Sequence, residues 1–260
     1  MWLIYTPKGR VDIEAHPGVK AHLLPFKARL EARATKQAWW ELQQAQAAYE
    51  PAFNGQGIAF PDISQGPKFS TSKGCYIDCT AFLIPSETTA LSGLCGSKAS
   101  WFHLFAIANP LRGQTWRLRL KAQYVGSLPM PVDPSQLESL SPISGDLGRF
   151  SGEAGELIAQ VHHRFGDIAP AAAHLPAFRK WPSLDFVGLR ALVQKRLKQD
   201  ISVAERDQWD KYLTAQRAAH AALAARIADA EAELNARVDA LFGLTRDESA
   251  LIAETLAGQY

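Results

Sequence analysis

Few residues in this 260-residue chain have the types and spacings that chemistry needs. His162-His163 is its one adjacent histidine pair. Neighbouring side chains on a helix point about 100° apart, so the pair reads as surface and packing residues rather than as ligands of one metal. Cys75, Cys79 and Cys95 are the three thiols. Extended backbone places the first two about 13 Å apart, beyond disulfide reach. A zinc site would need further ligands beside Cys75 and Cys79, so all three read as reduced, structural thiols of a cytoplasmic protein. A metal-dependent nuclease needs a lysine two residues after an acid. No Asp or Glu has one, which leaves Pro61-Asp62 as a turn residue after a strand. N6-adenine methylation needs an Asn/Asp-Pro-Pro-aromatic turn to hold the extruded base. Asn109-Pro110-Leu111 lacks both the second proline and the aromatic. Phosphate loops, dinucleotide fingerprints, nucleophile elbows and zinc-protease helices are absent from the sequence. The chain reads as a non-enzyme with no metal or cofactor of its own.

Basic residues are the more promising set. Arg117, Arg119 and Lys121 alternate with Trp116, Leu118 and Leu120, which describes a half-exposed strand with one basic face; Arg112 precedes it. Such a face suits a grip on DNA phosphates plus a bidentate arginine–guanine contact, or else a plain solvated strand. Lys68-Phe69-Ser70-Thr71-Ser72-Lys73 is a polar stretch flanked by lysines. It reads either as a loop entering a DNA groove or as an ordinary hairpin loop. Trp39-Trp40 and Trp101 read as core residues rather than base-stacking ones.

The elements that must position these residues follow from pattern. Trp2-Leu3-Ile4-Tyr5 reads as a strand closed by Pro7-Lys8-Gly9. Residues 17–49 look helical, broken at Pro25, with Thr35 capping a second helix that ends at Trp39-Trp40-Glu41-Leu42. Residues 55–85 switch to β, 88–109 return to helix, and 116–125 form the basic strand. A Pro- and Ser-rich segment, 132–152, reads as a linker. From Trp209 onward apolar and small residues recur every three or four positions for about 33 residues, a helix of about 50 Å. Gly243 should end it, and Thr245 with Glu248 should start a last helix with a capping box. The architecture expected is α+β: a recognition domain with a helical lead-in over 1–131, the linker, then a helical region over 153–260 with its long helix at about 204–242.

Composition agrees with a folded chain: 47% hydrophobic and 21% charged residues sit near globular averages, which excludes wholesale disorder. A net charge of +2 makes local clustering of charge more informative than its total. No apolar run reaches the roughly 20 residues of a membrane span.

The run Gly57-Ile58-Ala59-Phe60-Pro61-Asp62-Ile63-Ser64, then Pro67-Lys68-Phe69-Ser70, then Gly74-Cys75-Tyr76-Ile77-Asp78-Cys79-Thr80-Ala81-Phe82-Leu83-Ile84-Pro85 is followed by Cys95-Gly96-Ser97-Lys98, Leu111-Arg112-Gly113-Gln114 and Leu128-Pro129-Met130-Pro131. In this order they resemble the TaqI-like C-terminal specificity domain of type IIG restriction enzymes and adenine-specific DNA methyltransferases. Cys95-Gly96 stands where Leu-Asn is commoner in that family. The resemblance covers roughly residues 55–131. It implies sequence-specific reading of double-stranded DNA beside a methyltransferase or nuclease domain of the same or an associated chain. S-adenosylmethionine would be used only in that other domain. The implied DNA contacts are Lys68, Ser70, Ser72, Lys73, Arg112, Gln114, Arg117, Arg119 and Lys121. The methyltransferase that normally precedes this region is missing, so the chain reads as a C-terminal fragment or a separately encoded specificity piece. A module contacting only proteins, dimerised through the long helix, is the alternative.

Overall fold

A computed structural model describes residues 3–111, 113 and 115–258. It is an α+β chain with two small sheets and a long C-terminal helix. Residues 3–7 do not form a strand. Helix α1 (Pro17–Leu23) passes through a 3-10 turn at Leu24–Phe26 into α2 (Lys27–Glu31). The break falls at Pro25, which has no N–H to continue the helix. The second helix expected to reach Leu42 is absent: residues 32–46 are irregular. Side chains hold them there. The Arg33 guanidinium donates to the carbonyls of Leu30, Trp39 and Glu41. The buried Glu41 carboxylate accepts from the N–H groups of Gly9 and Ala38. A buried carboxylate with two backbone donors outweighs the helix propensity of this Ala- and Gln-rich stretch, which is worth only tenths of a kcal/mol per residue.

A short α3 (Glu50–Asn54) leads into the sheets. Strands β1 (Gln56–Pro61), β3 (Ser70–Lys73) and β4 (Ala81–Pro85) form an antiparallel sheet in the order β3-β1-β4. Ile58 pairs with both Thr71 and Ile84. Strands β2 (Ile63–Ser64), β5 (Asn109–Leu111) and β6 (Arg117–Arg119) form a second antiparallel sheet in the order β2-β6-β5. The basic strand is therefore shorter than the alternation over 116–125 suggests. Extended Lys121 caps the short helix α6 (Ala122–Val125), and the chain turns away.

Between the sheets' strands lie α4 (Ala90–Gly96) and α5 (Lys98–Ile107), separated at Ser97. The Ser97 side chain accepts from the Ser100 N–H, starting α5 as an N-cap. Phe60, Trp101, Leu104, Leu118 and Leu120 form the core under both sheets.

The expected linker at 132–152 is not one. A 3-10 segment, Pro134–Leu140, runs into α7 (Ser141–Arg164), a 24-residue helix. Gly145, Gly148, Gly152 and Gly155 fall on one side of it at intervals of three or four, while Ile143, Phe150 and Val161 are buried. The glycines do not break the helix; all four are exposed, and only at Gly148 would an added Cβ meet a neighbour, Thr71 Oγ1 at 3.5 Å. Helix α8 (Phe186–Leu197) follows, then α9 (Arg206–Phe242), whose 37 residues rise about 55 Å. Gly243 ends α9 in the left-handed region at φ 65°, and Thr245 with Glu248 form the capping box of α10 (Arg246–Ala257).

Helices α7 and α9 share two cores. At one end Val161, Phe165, Trp181, Trp209 and Leu213 pack together; at the other, Leu140, Ile143, Phe150, Leu234 and Val238 pack with Ala90 and Leu94 of α4. Fully burying a large apolar side chain stabilises by about 1.5–3 kcal/mol. The apolar stripe of α9 is thus covered largely within the chain. Among the described residues no helix is long and apolar enough to cross a membrane.

Candidate functional site

The two basic segments lie on different sheets: Lys68–Lys73 runs into β3, and Arg117–Lys121 begins on β6. On β6 the pleat turns Leu118 inward, 1% exposed, and leaves Arg117 and Arg119 outside. The two arginines differ in availability. Arg119 lies against Asp62, with Nη2 3.1 Å from Oδ2 and Nε 3.4 Å from Oδ1. The Arg117 guanidinium makes no hydrogen bond or ion pair to another described residue, and neither does the Lys121 ammonium two residues beyond β6.

Asp62 does more than end a strand. Its N–H donates to Thr80 and its carbonyl accepts from Leu120, while its carboxylate holds Arg119. One residue at the β1–β2 bend therefore ties together the two sheets and the turn before β4. Arg119 sits at the pivot as a positioning residue. Its ion pair leaves less of its charge for a partner than Arg117 keeps.

The Lys68–Lys73 stretch is not a loop throughout. Residues 70–73 are the edge strand β3, and Ser72 is buried at 9% exposure. That takes Ser72 out of the set of accessible contacts. Ser70 and Lys73 are exposed on the edge, and Lys68 is exposed in the loop before it. Arg112 and Gln114 lie outside the described residues.

Lys68 and Ser70 line a cleft of about 840 Å³ that the sequence did not signal. Its walls come from the β3 edge, the α4–α5 junction, the glycine face of α7, the last turns of α9 and the end of α10. Trp101, 2% exposed, lines both this cleft and a smaller hollow beside Arg117. The Arg117 side and the Lys68 side are thus two neighbouring surfaces around one buried tryptophan. Lys98, the first residue of α5, also faces the cleft, and its backbone N–H donates to Asn235 Oδ1 of α9 at 2.7 Å. Lys98 and Asn235 were missed because the cleft exists only once α7 and α9 pack beneath the sheets.

The remaining candidates have structural roles or none. The two histidines do point apart: His162 is buried with Nε2 3.0 Å from the Leu175 carbonyl, and His163 is exposed. Cys95 is buried, and burial pushes its thiol pKa up to about 12. Cys75 and Cys79 are exposed, so the reading of all three thiols as structural holds for Cys95 alone. Asn109-Pro110-Leu111 forms β5 and pairs with β6. Among the described residues no group of three or more His, Cys, Asp and Glu side chains is placed to hold a metal ion.

A domain family of unknown function, DUF8810, matches residues 153–238, from the middle of α7 nearly to the end of α9. The match covers the helical half and stops short of both sheets. No curated protein matches the chain.

Proposed function

We propose that this chain reads double-stranded DNA as the specificity part of a restriction–modification adenine methyltransferase, leaving the chemistry to a separate domain. The observation that carries this reading is Arg117: an arginine without an ion pair among the described residues, turned outward on a strand whose other face is core. Lys121, exposed two residues beyond the strand, is a second available cation. A planar guanidinium on a backbone braced at Asp62 suits bidentate contact with a guanine edge or grip on a phosphate. The ordered resemblance of residues 55–131 to the TaqI-like specificity domain supports the same reading. Any use of S-adenosylmethionine belongs to the accompanying methyltransferase domain.

The test is duplex binding by the 260-residue chain across a salt series. Affinity should fall with rising salt, and Arg117→Gln or Lys121→Gln should each flatten the log–log slope by about 1 if it removes one phosphate contact. No duplex binding at low salt, or slopes unchanged in both variants, refutes this reading.

One observation favours an additional protein contact. Helices α1 and α2 and the turn joining them bury no side chain, and Leu24 and Phe26 are 53% and 48% exposed. This apolar surface suits a methyltransferase or nuclease domain. If it instead pairs two copies of the chain, sedimentation will show a concentration-dependent dimer that Leu24→Ser with Phe26→Ser abolishes.

A further inference from the structure

The strand face leaves the large cleft unexplained. Its charged lining residues are Lys68, Lys98 and Glu231, two cations against one carboxylate, and none of the three forms a side-chain ion pair among the described residues. Lys98 also opens a ten-residue helix, whose positive dipole end adds to the local potential. Apolar walls from Trp101, Leu147 and Leu234 lie beside these charges. Cations next to apolar surface favour a ligand with an anionic end and a flat or apolar body. The volume of about 840 Å³ falls within the usual range of small-molecule sites.

The wall between α4 and α7 is closed by tight packing. Ser144 of α7 lines the cleft, is 4% exposed, and its hydroxyl has no hydrogen-bond partner. Buried hydroxyls are normally satisfied, because leaving one unpaired costs stability. Beside it is Gly93, where a Cβ would stand 2.1 Å from Ser144 Oγ. The bare glycine is what leaves space for the hydroxyl on this wall.

We propose that this cleft binds a nucleotide: the phosphate at Lys68 and Lys98, the base along the apolar wall, and Glu231 accepting from its polar edge. The site is distinct from the Arg117 face and does not depend on it. The nucleotide is either free or part of a DNA strand, and competition separates the two sources.

The experiment is calorimetric titration of the full chain with dAMP, and with inorganic phosphate as competitor. dAMP should bind, phosphate should displace it, and Lys68→Gln and Lys98→Gln should each weaken it by roughly fivefold to tenfold, whereas Arg117→Gln leaves it unchanged. Lys68 and Lys98 are exposed, so a loss of affinity there cannot be assigned to misfolding. A duplex that displaces dAMP assigns the cleft to a nucleotide of the DNA; a duplex that binds alongside it assigns the cleft to a free nucleotide. No dAMP binding at about 5 mM, or wild-type affinity in both lysine variants, overturns the proposal. Failure of Arg117→Gln to alter duplex binding counts against the DNA reading and leaves this result untouched.

Discussion

Gly93→Ala should destabilise the chain, and Ser144→Ala should reverse the sign of that effect. Gly93 lies inside α4, where alanine's higher helix propensity alone favours the substitution by up to about 1 kcal/mol. Packing opposes it. The new methyl would stand 2.1 Å from Ser144 Oγ, 3.0 Å from Leu234 Cδ1 and 3.3 Å from Ser144 Cβ. The hydroxyl must leave its rotamer and Leu234 must shift, in a core where overpacking costs about 1–3 kcal/mol. The balance is a net loss of about 1–2 kcal/mol in the wild-type background. With Ser144→Ala the closest atom is gone, and the nearest remaining neighbours are a flexible leucine methyl and the Cβ at 3.3 Å. Propensity then matches or exceeds strain, and Gly93→Ala becomes neutral or stabilising. Ser144→Ala alone should be neutral or gain up to about 1 kcal/mol, since it deletes a buried group with no partner. Urea unfolding of all four proteins, compared at common slope, gives the coupling, expected at about 1–2 kcal/mol. If Gly93→Ala shifts the midpoint equally in both backgrounds, the hydroxyl does not sit against Gly93 and this account of the cleft wall fails.

Three further outcomes follow from local chemistry. A thiol reagent at pH 8 should modify exposed Cys75 and Cys79 promptly and Cys95 only on unfolding, because burial raises the Cys95 pKa to about 12; three equal rates would contradict the core packing. Thr245→Ala breaks the capping box of α10 and should cost about 0.5–2 kcal/mol, read as a lower urea midpoint, with no loss of duplex binding. The hydrogen-bonded Arg190 guanidinium holds the Asp200 carboxyl well below the usual carboxylate range, aided by the Ile201 N–H and Arg206. A depressed pKa contributes stability above the unfolded value near 3.9 that is lost as pH falls toward the folded one. Asp200→Asn should therefore lower Tm at pH 6 and shrink the drop between pH 4 and pH 2; parallel Tm–pH curves would refute this.

Features set by local chemistry were legible in the sequence. Helix α9, its Gly243 stop and the Thr245–Glu248 box depend on periodicity and on residues three positions apart. The Leu118 alternation depends on the pleat. What was not legible depended on distant partners. Residues 32–46 fail to form a helix because Glu41 reaches the N–H of Gly9. Residues 141–152 form a helix because Ile143 and Phe150 dock against α9, although their glycines, prolines and serines describe a linker. The candidate site divides along the same line. Arg117 was readable as an outward residue. The burial of Ser72 and the engagement of Arg119 were not, since each is decided by a neighbour many positions away.

That misread segment changes how the two halves relate. A flexible linker at 132–152 would leave the recognition layer free to move against the helices. As a helix, it packs with α9, and the last turns of α9 pack in turn against α4. Asn235, near the end of α9, also accepts the first N–H of α5, the helix that carries Trp101. The segment matched by the family of unknown function thus supplies a cap and a packing face to the layer that bears Arg117. On the DNA reading proposed above, affinity would depend on holding Arg117 in one place before contact, because ordering a mobile arm on binding costs conformational entropy. The helical half supplies that order through α5 and α4. It also closes the second side of the cleft, so that positioning of the strand face and formation of the nucleotide-sized site come from the same packing of α7 on α9.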